Sequence, residues 1–186
     1  MDLYPVFLHL SGRPVLLVGG GKVASSKIEA LLAAGAQVTV VAPQISDSLR
    51  QPGVRIEQRQ FAPADLDGKW FVVAAAPPEV NGAVARAAGE RRIFVNAVDD
   101  TEAASAYLGG ILRRGDVTLA ISTDGRAPAL SGLLREALEA LVPQDIESWA
   151  QVAQDLRTHW KADGVPISRR RPLLLRALNE LYREAA

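Results

Sequence analysis

Apolar and polar residues alternate in blocks over the first hundred positions. Val15-Leu16-Leu17-Val18, Val38-Thr39-Val40-Val41 and Trp70-Phe71-Val72-Val73-Ala74-Ala75 are short, nearly continuous apolar runs. Such runs suit parallel strands buried on both faces. Val54-Arg55-Ile56-Glu57 alternates and predicts a further short strand, and Ile93-Phe94-Val95-Asn96 completes a set of five. The intervening stretches change period. Ala24, Ile28, Leu31 and Leu32 share one helical face before Gly35, and Val80, Ala83, Val84 and Ala87 share another within Glu79–Gly89. Phe61–Leu66 reads as a turn into a brief helix. Strands alternating with helices predict an α/β fold, a Rossmann-type doubly wound parallel sheet in the order 3-2-1-4-5. A ligand crevice is then expected at the carboxyl ends of its strands.

The pattern changes near residue 103. Ala106–Leu112 and Val117–Ile121 flank Arg113-Arg114-Gly115-Asp116, the mark of an antiparallel hairpin. A helix is predicted over Pro128–Leu141, with Pro128 in its first turn and Pro143 beyond its end. Its Leu130, Leu133, Leu134, Ala137, Leu138 and Leu141 form one stripe, read as core. Two more helices are expected near 145–162 and 172–184, with Arg169–Arg171 in a solvated turn between them. The apolar residues 3–9 are expected to pack as an extended arm. An isolated hairpin is marginal in water, so a second copy is expected to cover it, giving a homodimer. The boundaries predicted are 1–103 for the sheet domain, 104–143 for a hairpin and long-helix dimerisation segment, and 144–186 for a small C-terminal helical region.

Candidate chemistry begins at Gly19-Gly20-Gly21-Lys22-Val23-Ala24, where the first strand turns into the first helix. Gly19-x-Gly21-x-x-Ala24 fits a dinucleotide fingerprint, with a pyrophosphate on the amides of the helix N-terminus. The acidic residue expected after the second strand is absent; Pro43-Gln44 stands there, and no adjacent arginine claims a 2′-phosphate, which favours NAD. Asp99 follows the fifth strand and falls at the crevice mouth, where a carboxylate can take or orient a proton as a hydride leaves; a plain turn with Asp100 and Thr101 is the competing reading. Ser122 and Thr123 precede the long helix and suit an anion or a simple cap. Arg126, Arg113 and Arg114 suit carboxylates of a substrate. His9 and His159 have no ligand-like spacing, cysteine is absent, and Lys+Arg and Asp+Glu balance at 21 each. These features give no metal site, no disulfide framework and no bulk field for nucleic acid. No apolar run reaches the ~18 residues of a membrane span, and no basic-then-apolar leader is visible, so a cytoplasmic protein is expected.

Several motifs in register resemble the precorrin-2 dehydrogenase family of siroheme synthesis. They are Val18-Gly19-Gly20-Gly21-Lys22-Val23-Ala24, Asn96-Ala97-Val98-Asp99, Ile121–Leu130 and Leu133-Leu134-Arg135-Glu136, with Tyr4-Pro5-Val6-Phe7 and Arg91–Phe94 beside them. The resemblance covers about residues 1–145. It implies NAD-dependent oxidation of precorrin-2 to sirohydrochlorin and, in some members, iron insertion at the same site. It places the essential aspartate on Asp99 and nucleotide contacts on Gly19, Gly20, Gly21, Lys22, Val23, Pro43 and Gln44. Ala75 and Ala76 stand where the family meets the nicotinamide or ribose, and with Ala76-Pro77-Pro78 in place of a threonine and acidic residues the contact falls to the backbone. Asn96, Ser122, Thr123, Arg126 and Arg113 are the candidate substrate contacts, and a regulatory serine of one branch falls on Thr123. The methyltransferase module of the fused relatives is not in this sequence, so another protein is expected to supply precorrin-2. The competing class is an NAD-sensing regulatory domain without turnover; a chelatase lacking dehydrogenase activity is a further alternative.

Overall fold

The computed structural model describes residues 3–184. The chain clusters into two compact units, 1–108 and 109–186.

The first unit is built on a parallel sheet of β1 (Pro14–Val18), β2 (Gln37–Val41), β3 (Arg55–Glu57), β4 (Phe71–Ala74) and β5 (Phe94–Ala97). The strand order is β3-β2-β1-β4-β5, as the pattern predicts. Helix α1 (Lys22–Ala33) follows β1 and α2 (Pro78–Glu90) follows β4. Alternate residues of the strands serve opposite faces. Val15, Leu17, Val38, Val40 and Val73 pack with Ala24, Ile28 and Leu31 of α1. Leu16, Val18, Val41, Val72 and Ala74 pack with Val84, Ala87 and Ala88 of α2. The continuous apolar runs are therefore explained by two cores, one on each face of the sheet. Short 3-10 turns at Asp47–Leu49 and Pro63–Leu66 replace longer crossover helices, and each buries one leucine, Leu49 or Leu66.

The stretch 98–108 returns to β5. The Ser105 and Ala106 N–H groups both donate to the Val95 carbonyl, at 2.9 Å each. Ser105 and Ala106 are thus tied to the sheet beyond position 103, the boundary expected from the sequence. The arm is a correction. Leu3, Tyr4, Val6, Phe7 and Leu8 are exposed, and only Leu10 enters the core.

The second unit starts with the hairpin β6 (Gly110–Arg114) and β7 (Val117–Ile121). Arg114 pairs with Val117 across a two-residue turn, Gly115-Asp116. Helix α3 spans Pro128–Leu141, α4 spans Ile146–Ala162 and α5 spans Ile167–Glu184. The Arg114 guanidinium donates to the Glu139 and Val142 carbonyls at the end of α3. It thereby supplies the partner and the positive charge that a helix C-terminus favours. Two expectations fail in this unit. The α3 stripe is not core in the single chain, since Leu130, Leu133, Leu134 and Leu141 are exposed and Ser131 is the helix's buried residue. Arg169–Arg171 lie inside α5, which starts right after Pro166. The Arg170 guanidinium pins that start by donating to the Val165 carbonyl at 2.9 and 3.0 Å. Pro172 lies inside α5, past its first turn, where a proline forgoes one backbone bond of the helix.

Candidate active site

In a doubly wound sheet of this order, the chain leaves β1 and β4 in opposite directions, opening a crevice at their carboxyl ends. Gly19 and Ala75 meet there. A Cβ on Gly19 would lie 2.1 Å from the Ala75 carbonyl oxygen, and Gly19 has φ +128°. Gly20 is equally constrained toward the next strand, where a Cβ would lie 1.8 Å from the Gln44 carbonyl oxygen. These two glycines are thus needed for the loops to fit one another. Gly21 is different: a Cβ there meets nothing within 4 Å. Gly21 is the N-cap of α1 with extended backbone, it has no side chain to occupy the free amides of the first turn, and that turn holds no acidic residue. Lys22 and Val23 are exposed, while Ala24 is fully buried against the sheet. The open face of the loop is therefore Gly21–Val23, at the positive end of the helix dipole.

The loop after β2 is tied to this turn. Ser46 N–H donates to the Gly20 carbonyl at 2.9 Å. Ser25 and Ser48 share a hydroxyl hydrogen bond of 2.7 Å, and Ser46 and Ser48 one of 2.9 Å. Pro43 and Gln44 are exposed on the same loop. The serine cluster was not foreseen, because hydroxyls from separate elements leave no periodic mark in a sequence.

The loops after β4 and β5 close the other side. Ala75 N–H donates to the Val18 carbonyl at 2.7 Å. Ala76 N–H donates to Oδ1 of Asn81 at 3.0 Å. Both amides are thus engaged within the protein. Val98 N–H donates to the Ala74 carbonyl at 2.9 Å, and Asp99 follows in an exposed, left-handed turn at φ +58°. Aspartate tolerates this conformation better than most residues. The turn is held from beyond: Asp100 accepts from Ala103 N–H at 3.0 Å, and the Tyr107 hydroxyl donates to the Thr101 carbonyl at 2.9 Å. Among the described residues, Asp99 thus stands on a braced turn at the carboxyl end of β5.

Other candidates fall elsewhere. Asn96 is buried, and its amide donates to the Ala106 carbonyl at 3.0 Å. That bond ties the returning chain to β5, so this side chain serves the fold where an open substrate contact was expected. In the second unit, the Thr123 hydroxyl meets the buried Ser131 hydroxyl at 3.0 Å and accepts from Ala127 N–H at 3.3 Å. The Ser122 hydroxyl accepts from Asp124 N–H at 3.2 Å. Both hydroxyls shape the approach to α3, whose N-cap, Ala127, receives no side-chain cap bond. Arg126 and Arg113 are exposed, whereas Arg114 is committed to the end of α3. His9 and His159 are exposed as well, the latter bonded to the Asp155 carbonyl in its own helix. Among the described residues no three His, Cys, Asp or Glu side chains gather as a metal site, and no helix is long and apolar enough to cross a membrane.

Comparison with known proteins gives the family. Residues 6–110 match a family model described as "Putative NAD(P)-binding", and residues 114–141 match one described as "Sirohaem biosynthesis protein central". Siroheme synthase 3 of Aeromonas hydrophila subsp. hydrophila is 46% identical over 176 residues, covering 92% of this chain and 38% of that protein. Siroheme synthase 1 of Aeromonas salmonicida is 42% identical over 184 residues, covering 96% of this chain and 39% of the relative. The chain thus spans well under half the length of these curated relatives. The solved structure of SirC, a precorrin-2 dehydrogenase, superimposes with a TM-score of 0.77 at 30% identity, covering 97% of this chain and 92% of that one. With an NAD(P)-binding sheet domain, a sirohaem-synthesis central segment and a full-length structural counterpart, the chain belongs to the precorrin-2 dehydrogenase family, which includes the matching part of the siroheme synthases.

Proposed function

We propose that this protein oxidises precorrin-2 to sirohydrochlorin with NAD as hydride acceptor, as a cytoplasmic homodimer. The observation that carries the reading is the joined set of loops at the carboxyl edge of the sheet. Gly20 packs on Gln44, Gly19 packs on Ala75, and Asn81 links Ala76 to the turn bearing Asp99. The set offers a helix N-terminus for a pyrophosphate on one side and an exposed carboxylate on the other. The names and coverage of the siroheme synthases and of SirC support the substrate.

The residues present suit a dinucleotide. The open amide face at Gly21, Lys22 and Val23 would hold the pyrophosphate, and the exposed Gln44 stands at the ribose position after β2. With no carboxylate there, hydroxyl recognition falls to Gln44 and backbone groups. Bound NAD supplies the hydride acceptor. The protein's own task is to hold the macrocycle against it and to manage the proton, and positioning is the larger part of that task. Asp99 is the proposed proton acceptor or orienter. Its exposure leaves it available to a ring proton, and its fixed turn limits where the carboxylate can point. Arg126 and Arg113 of the second unit are exposed, and a guanidinium suits a carboxylate. The exposed leucines of α3 are the proposed dimer surface.

Purified protein mixed with NAD+ and precorrin-2 under exclusion of air tests the reading. NADH and sirohydrochlorin are expected to appear together, in equal amounts. Tight NAD+ binding with no turnover would instead favour a nucleotide-sensing module.

A further inference from the structure

Asn81 is the buried polar side chain of α2, only 3% exposed. Its carboxamide spans two loops. Oδ1 accepts from Ala76 N–H at 3.0 Å, and Nδ2 donates to the Val98 carbonyl at 3.4 Å. The two partners fix the orientation of the amide, because Ala76 N–H is a donor alone and the Val98 carbonyl an acceptor alone. Asn81 itself is anchored by its own N–H, which donates to the Pro77 carbonyl at 3.0 Å at the start of α2. One rigid helix turn therefore grips the exit of β4 and the exit of β5 at once. The residue next after Val98 is Asp99, with left-handed backbone.

We propose that Asn81 is a positioning residue for the reaction, setting where the Asp99 carboxylate stands relative to the loop after β4. This rests on the assignment of Asp99 above. Only a side chain with both a donor and an acceptor, of this length, serves both loops. Aspartate keeps the acceptor toward Ala76 but has no donor for Val98 at neutral pH. Alanine leaves both backbone groups without their buried partner.

Two variants, Asn81→Ala and Asn81→Asp, test this, each alone and in an Asp99→Ala background. A displacement of the carboxylate by around 1 Å is expected to lower kcat by about 10²-fold. In the Asp99→Ala background the same substitutions are expected to cost kcat nothing further, since the group they place is gone. A purely structural Asn81 would lower the melting temperature yet leave kcat of the folded enzyme intact, or would add its loss in full on top of Asp99→Ala; either result overturns the proposal. A second readout does not need turnover. The carboxyl carbon resonance of Asp99, followed by NMR, is expected to move in Asn81→Asp, which retains one of the two bonds and is the variant better placed to fold. An unmoved resonance contradicts the proposal even if precorrin-2 proves not to be the substrate, while a wild-type protein that fails to reduce NAD+ counts only against the function proposed above.

Discussion

At the scale of single residues, the three glycines look alike in the sequence but do different work. Gly20→Ala forces a Cβ to within 1.8 Å of the Gln44 carbonyl oxygen, so the loops must part or the protein must unfold. Gly21→Ala meets open space at an extended backbone. The expectation is that Gly20→Ala lowers the melting temperature strongly, whereas Gly21→Ala stays within about 1 kcal/mol of the parent but weakens NAD+ binding; calorimetry and NAD+ titration on both variants check it. Asp99→Ala is expected to fold and still bind NAD+, with kcat reduced by about 10²–10⁴-fold, the usual span for loss of an acid–base group. Steady-state rates with precorrin-2 measure this. The places of the glycine turn and of Asp99 at strand ends were legible because each follows an apolar strand by a fixed offset. Asn81 was not, since it shares the buried face of α2 with Val84 and Ala88 and an amide within such a face carries no mark in the sequence of the backbone groups it will meet. Asn96 misled for a related reason: its place beside Asp99 suggested a ligand contact, while the returning chain at Ala106 takes its amide.

At the scale of elements, helix ends show how closely local chemistry sets boundaries. Helix α1 closes with Gly35 at φ +73°, whose N–H donates to the Leu32 carbonyl at 2.8 Å while Ala36 N–H reaches Leu31 at 3.1 Å. Helix α2 closes the same way, through Ile93 N–H to Ala88 at 2.9 Å, but with Arg92 at φ +57° in the glycine position. Arg92→Gly is therefore expected to stabilise the protein by about 1 kcal/mol through relief of that backbone strain, read as a rise in melting temperature. The 3-10 turn at Pro63–Leu66 carries a pH dependence. Hydrogen bonding from Arg59 holds the Asp65 carboxyl below its ordinary range, against the opposing effect of burial, with Ala62 N–H adding to the depression. A depressed folded-state pKa stabilises above the unfolded value of ~3.9 and is lost as pH falls through the folded value. Wild-type stability should thus fall more steeply below about pH 4 than that of Asp65→Asn, seen in melting temperatures across an acid series. Strand order and helix placement were readable because apolar period and Gly or Pro punctuation agree. The start of α5 was not, because Pro172 looks like a first-turn proline when it lies inside the helix.

At the scale of the whole molecule, the leucine stripe of α3 was readable as an amphipathic face, but not for what covers it. Period reports that a face is apolar, not whether the cover comes from the same chain. Leu133 is 63% and Leu141 76% exposed, more apolar surface than a lone helix ordinarily shows to water. If a second copy covers it, Leu133→Glu is expected to turn a dimer into a monomer in sedimentation analysis at micromolar concentration while NAD+ binding by the sheet domain persists. The central claim concerns chemistry at the carboxyl edge of that sheet, where the loop after β4, packed on the glycine turn, is joined through Asn81 to the turn bearing Asp99. Its most direct test is stoichiometry: NADH formed per precorrin-2 consumed, measured without air for the wild type beside Asp99→Ala. One NADH per sirohydrochlorin, with the variant binding NAD+ yet turning over at least about 10²-fold more slowly, is the result this account predicts. Equal rates in the two proteins, or NAD+ bound and never reduced, would contradict it.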